Sequence, residues 1–214
     1  MKRAFLLLIV TVGFLSISSA GAASIKRGFY IGAQGGVGGM ETPKASKKTD
    51  AYGKDDLQSW IVRGYLGHLW GQGKLKNGVE FGYAQYADNE YENSNQGGKD
   101  TFKYKGHYFD LSYVLKVAVV SGFNIFGKAG VAYTYQATKA TESSYTQYEA
   151  DKTRWWPKLA AGFGYEFTNG VALDLTYDRS FGRKPARISS EASKEDINRV
   201  ASVSSLMLGV SYHF

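Results

Sequence analysis

At 214 residues the chain is long enough for one substantial domain, and 26 glycines, 16 tyrosines and 12 phenylalanines beside 3 prolines favour strands over helices. The absence of cysteine excludes a disulfide framework, a thiolate metal site and a thiol nucleophile. The formal net charge of +7 falls to +5 once Lys2 and Arg3 are removed with a signal segment, and the excess is spread along the chain, so no nucleic acid partner is expected.

The chain opens with Lys2 and Arg3, the apolar run Ala4 to Leu15, small residues Ser16, Ser18 and Ser19, and then Ala20-Gly21-Ala22. This three-part pattern predicts a secretory signal peptide over 1–22, cleaved after Ala22, and leaves 23–214 as one domain. The run is too short for a membrane-spanning helix, which needs about 20 apolar residues. No cysteine follows the cleavage site, which excludes a lipoprotein anchor.

Eight segments then alternate apolar and polar residues with a period of two. The first, Gly28 to Val37, sets Phe29, Ile31, Ala33 and Val37 against Tyr30, Gly32, Gln34 and Gly36. The second, Trp60 to Trp70, sets Trp60, Val62, Leu66 and Trp70 against Arg63 and Tyr65. The third, Val79 to Tyr91, sets Val79, Phe81 and Tyr83 against Glu80. The fourth, His107 to Val117, sets Phe109, Leu111, Tyr113, Leu115 and Val117 against Asp110 and Ser112. The fifth, Phe123 to Tyr135, sets Ile125, Ala129, Val131 and Tyr133 against Lys128. The sixth, Trp155 to Phe167, sets Leu159, Phe163, Tyr165 and Phe167 against Lys158. The seventh, Val171 to Phe181, sets Val171, Leu173, Leu175 and Tyr177 against Asp174, Thr176 and Asp178. The eighth, Ser202 to Phe214, sets Leu206, Leu208, Val210, Tyr212 and Phe214 against Met207, Gly209, Ser211 and His213.

The connections alternate in length. Gly71 to Gly78, Ala118 to Gly122 and Thr168 to Gly170 are short and turn-rich, whereas Gly38 to Ser59, Glu92 to Gly106, Gln136 to Arg154 and Gly182 to Ala201 are long and polar. Short turns on one side and long loops on the other predict an eight-stranded antiparallel transmembrane β-barrel with up-and-down meander order, its short turns periplasmic. A soluble sandwich would put polar residues outward and has no reason to alternate loop lengths. Here each strand's apolar face carries Tyr, Trp or Phe towards its ends, as an interfacial girdle requires.

The closing stretch "LMLGVSYHF" resembles the last strand of the OmpA/OmpX-like small outer-membrane barrels of Gram-negative bacteria, and "GFYIGAQGG" resembles their first. "VEFGYAQY", "NIFGKAGVAY" and "KLAAGFGYEFTNGVALDLTYD" resemble the third, fifth, and sixth with seventh strands. The resemblance covers roughly 28–214. It implies a cell outer-membrane location, and it implies that Leu208, Val210, Tyr212 and Phe214 form the signal read by the barrel-assembly machinery. It also implies a central cluster of acidic and basic side chains that plugs the lumen and has been considered a gate. Glu80 and Lys128 match positions of that cluster, while Asp174 stands where OmpA has an arginine, so the pairing must differ. The sequence ends at Phe214 without the periplasmic peptidoglycan-binding domain of OmpA, so a cell-wall tether is not expected from the resemblance.

Eight strands enclose an interior just wide enough for side chains to fill. The inward charges Arg63, Lys128 and Lys158 balance Glu80, Asp110 and Asp174, and they are expected to pair. A structural plug is the first reading of this cluster and a narrow gated pore for ions or small solutes the second. A barrel enzyme that modifies lipid A is a distant third, because it needs a nucleophile and a base together near the outer rim. His68 and His213 fall at the periplasmic ends of their strands, and His107 points away from the lumen. No enzyme activity is expected. No cofactor or metal is expected either, since Asp50, Asp55 and Asp56 are loosely spaced and "GGVGG" and "GQGKLKNG" precede no helix that could complete a phosphate site.

The long loops carry mixed charge: Lys44, Lys47, Lys48 and Lys54 against Asp50, Asp55 and Asp56 in the first, and Arg183, Lys184, Arg187, Lys194 and Arg199 against Glu191, Glu195 and Asp196 in the last. A solvated outer surface explains this composition. Arg183, Lys184 and Arg187 are also placed to meet lipopolysaccharide phosphates. The expected role is structural or adhesin-like, as a monomer in outer-membrane lipid and lipopolysaccharide, with host or cell-surface ligands reached through the loops.

Overall fold

A strand that crosses a bilayer gives one row of side chains to lipid and the other to the lumen, and it must pair both backbone edges because lipid offers no hydrogen bonds. A computed structural model of the chain describes residues 25–40, 59–95, 98–141, 147–183 and 200–214 and satisfies both demands. The strands are β1 (Gly28–Met40), β2 (Ser59–Trp70), β3 (Leu75–Asn95), β4 (Gly98–Val120), β5 (Phe123–Thr141), β6 (Gln147–Glu166), β7 (Val171–Ser180) and β8 (Val203–His213). Each pairs antiparallel with its sequence neighbour, and β1 pairs with β8 from Tyr30↔His213 to Met40↔Val203, which closes the barrel.

The exposure pattern is that of a molecule solvated by lipid. Phe29, Ile31, Leu66, Leu111, Leu159, Leu208 and Phe214 stand exposed on the outer face, while Arg63, Glu80, Asp110, Lys158 and Asp174 are buried inside. Rings mark the two rims. Phe29 with His68, Phe123 with Tyr165, and Tyr212 with Phe214 meet at the short-turn end, with centroids 4.6, 4.8 and 5.2 Å apart. Tyr133 with Trp155 and His107 with Tyr135 meet towards the other end, at 4.7 and 5.0 Å.

Four strands run further than the period of two indicates. The segments Glu92 to Gly106 and Gln136 to Arg154, read from sequence as loops, are largely ladder: β3 and β4 stay paired to Asn95↔Gly98, and β5 and β6 to Thr141↔Gln147. Crossing a membrane takes about 9–11 residues, whereas β3 has 21 and β4 has 23. Outside the bilayer water wets both faces of a hairpin, so apolar alternation ends while backbone pairing continues. Pro157, in β6, lies one position beyond the last β6–β7 partners, Lys158↔Ser180: its carbonyl accepts from Phe181 N–H, and its missing donor falls at that end of the ladder.

At the other end the turns are tight. Val120 and Phe123 face each other across Ser121 and Gly122, whose φ values of 32° and 83° are the two positive angles of a type I′ hairpin turn. The expected signal peptide and most of the first and last loops lie outside the described residues.

Candidate functional site: the lumenal charge network

Inward side chains of all eight strands meet in the middle of the barrel. Arg63, 3% exposed, projects from β2, and its guanidinium lies between two carboxylates: Nη2 is 2.9 Å from Glu80 Oε1 on β3 and 2.8 Å from Asp110 Oδ1 on β4, with Nε donating to Asp110 Oδ2 at 3.1 Å. The room for that flat group comes from Gly82, where a Cβ would overlap the guanidinium. Arg63 Nη1 also donates to Gln34 Oε1 on β1 at 3.3 Å, and Gln34 Nε2 donates to Thr176 Oγ1 on β7 at 2.9 Å.

Glu80 binds a second cation. Lys128 on β5 donates to its two oxygens at 2.7 and 2.8 Å, and Tyr30 OH donates to Oε2 at 2.8 Å. Asp110 likewise takes Lys158 from β6 at 3.1 Å, and Lys158 reaches on to Asp178 on β7 at 2.7 Å. Asp178 accepts from Tyr108 OH at 3.2 Å and from Ser205 Oγ on β8 at 2.9 Å. Three cations and three carboxylates thus form one neutral chain of contacts, each charge bonded to an opposite one, which is the condition under which buried charge is tolerated.

Five of the six sequence-derived cluster residues lie in this chain: Arg63, Glu80, Asp110, Lys128 and Lys158. Asp174, expected to pair, joins no ion pair within 4 Å among the described residues, and its Oδ1 has no hydrogen-bond partner among them. The missing partner role falls to Asp178, four residues along β7 and one inward position from Ser180, which lies opposite Lys158. Asp178 was visible on the inward face, but nothing in the pattern fixed which of two carboxylates on one strand meets the lysine. A second pair that the sequence reading missed, Lys116 and Glu166, lies at the short-turn end at 3.9 Å.

Above the network, Ile61, Ala84, Tyr86, Tyr108, Ala132, Ala201, Val203 and Met207 form an apolar cluster inside the barrel. The segment approaching β8 folds into it, since Ala201 N–H donates to Gln136 Oε1 at 2.9 Å and Gln136 Nε2 donates back to Ala201 O at 3.3 Å. Below the network a cavity of about 20 Å³ is bordered by Glu80, Lys128, Tyr65, Asp174, Ser211 and His213 among others.

The other sequence-derived residues fall as follows. Leu208, Val210, Tyr212 and Phe214 are exposed on the outer face of the closing strand. His213 is buried and stacks on Tyr30 at 5.0 Å, while His68 and His107 sit among outer-face rings. Arg183 is exposed just beyond β7; Lys184 and Arg187 lie outside the described residues, as do the first-loop lysines and aspartates.

Comparison with known proteins agrees with this architecture. Residues 7–214 match the outer membrane protein beta-barrel domain family. The chain is 25% identical over 221 residues to outer membrane protein P5 of Haemophilus influenzae, a match that covers all of this chain and 61% of that protein, so the chain spans under two thirds of this relative's length. Among solved structures it is similar in fold to Neisserial surface protein A, with a TM-score of 0.51, 14% identity and coverage of 87% of this chain and 97% of that one. It is similarly close in fold to Ail, the attachment invasion locus protein of Yersinia pestis, with a TM-score of 0.51, 13% identity and coverage of 88% and 100%. A closed meander of eight strands, an apolar outer face and a match along nearly the whole length establish that the chain is an OmpA-like outer-membrane barrel of Gram-negative type, and that it belongs to the outer membrane protein beta-barrel domain family.

Proposed function

We propose that this barrel is a non-enzymatic scaffold of the outer membrane whose lumen is plugged and whose outer hairpins and loops make its functional contacts. The observation that carries the reading is the charge network to which all eight strands contribute, because a filled lumen leaves the exterior as the place where function resides. The extended β3–β4 and β5–β6 hairpins supply a backbone-paired outer surface. Adhesin-like binding of host or cell-surface ligands, as a monomer inserted by the barrel-assembly machinery through its Phe214 strand, belongs to the same reading.

Refolding the barrel into planar bilayers tests it. A silent membrane, after a heat-dependent gel shift has verified folding, is the expected result; discrete single-channel steps would replace the scaffold with a narrow gated pore. That second reading draws on the Glu80–Lys128 pair, which borders the cavity and so has room beside it.

Lipopolysaccharide is the proposed partner of Arg183, Lys184 and Arg187, since guanidinium groups bind phosphate oxygens in a bidentate manner. Replacing all three by glutamine is expected to lower the lipopolysaccharide that co-purifies with the barrel. An unchanged amount would remove this partner.

A further inference from the structure

Beneath the charge network the lumen contains a feature that the plug does not require. The residues just before β1 turn inward: Ile25 is 3% exposed and packs inside the barrel with Tyr30, Tyr65, Leu69 and Val114. The next residue fixes it there, because Lys26 N–H donates to Glu166 Oε1 at 2.7 Å, and Glu166 is itself fully buried at the end of β6. Gly28, with φ of 118°, makes the bend from this segment into the wall, a backbone angle that favours glycine. Leu69 and Val114 pack with Ile25 and also border the 20 Å³ cavity, while Ile25 itself lines the open space at the short-turn end with Gly71, Gln72 and Phe214, so Ile25 lies between that cavity and the periplasmic mouth.

The cavity wall is polar where it faces inward. Tyr65 OH, Asp174 Oδ1 and His213 Nδ1 are buried and lack hydrogen-bond partners among the described residues, and all three residues border the cavity. About 20 Å³ holds roughly one water molecule. A carboxylate oxygen, a phenol and an imidazole nitrogen around one such space are groups that water satisfies.

We propose that Ile25 is a stopper in the periplasmic mouth, seated over a water site formed by Asp174, Tyr65 and His213, and that water reaches this site from the periplasm when Ile25 leaves. The site accounts for Asp174, the lumenal carboxylate that the ion-pair network leaves out.

The chain has no cysteine, so a single introduced thiol reports access without background. Ser211 is buried and borders the cavity, which makes Ser211→Cys the reporter. The protein is expressed from its full sequence, taken from outer membranes, and its reaction with 2-aminoethyl methanethiosulfonate is followed by mass. Gln72→Cys, in an exposed turn, provides the reagent control.

Ser211→Cys alone is expected to react slowly. Adding Ile25→Gly is expected to raise the rate at least about tenfold, the scale set by burying one isoleucine side chain. Lys26→Pro removes the N–H that Glu166 accepts while leaving the Ile25 side chain intact, and it is expected to raise the rate by a smaller factor. Should the Ile25→Gly barrel fail to give the heat-dependent gel shift, Lys26→Pro decides alone. Equal rates in the parent and in every folded variant, with Gln72→Cys reacting normally, would overturn the stopper.

Discussion

Arg63 is the residue on which most of the lumen depends. It bonds two carboxylates and a glutamine, whereas Lys128 serves one carboxylate and Asp174 serves none by ion pairing. Removing one partner of a buried pair costs about 3–5 kcal/mol, because the charge left behind loses its compensation. Arg63→Ala strands both Glu80 and Asp110, although each keeps one lysine. The expected order of destabilisation in urea unfolding from lipid vesicles is therefore Arg63→Ala, then Lys128→Ala, then Asp174→Asn. The first two are expected to lie near that range and the last within about 1 kcal/mol. A Lys128→Ala barrel as stable as the parent would show that the network is not what holds the lumen closed. The residues of this network were legible as inward charges, because a strand with lipid on one face can hide charge only on the other. Their pairing was not legible. It depends on how far along the barrel axis each side chain lies, and hence on register across four or more strands, which period-two alternation leaves undetermined.

At the level of the strand, alternation fixed which face meets lipid in all eight segments, because a slip of one residue would reverse every side chain. It could not show where β3 to β6 end, since the outer parts of these paired strands carry no alternating apolar row in the sequence. Those parts are paired through their own backbones, so the transmembrane part does not require them. Replacing 88–104 by an Asn-Gly turn, which keeps the register of Tyr86↔Gly106, is accordingly expected to leave the heat-dependent gel shift intact while removing any ligand bound at that hairpin. Loss of the shift would mean that the extension helps to form the barrel. The closing strand makes the opposite demand. Leu208 lies in the middle of β8 with its side chain outward, and arginine there is expected to cost about 2–4 kcal/mol, against about 0–1 for Phe214→Arg at the rim. Unfolding in vesicles measures the first difference. If Phe214 is read during assembly, its variant will instead show a fall in outer-membrane abundance that its stability does not explain.

Across the whole molecule the proposed plug has three levels in series. The apolar cluster with the inserted Ala201 segment lies towards the outside, the ion-pair network in the middle, and Ile25 at the periplasmic mouth. Only the middle level was visible in the sequence. Ile25 is a single apolar residue between Ser24 and two cations, and Ala201 lies in a polar connection, so neither belongs to a periodic pattern. Obstructions in series have a consequence for conductance that a single gate does not share. An ion must pass all three, so opening one leaves the current set by the other two. Lys128→Ala and Ile25→Gly, each alone, are therefore both expected to remain silent in planar bilayers. A pore gated only at Glu80–Lys128 would conduct in Lys128→Ala and be indifferent to Ile25. Recording the two variants side by side distinguishes these cases, because current in Lys128→Ala alone would show that neither the Ala201 segment nor Ile25 blocks the path of an ion.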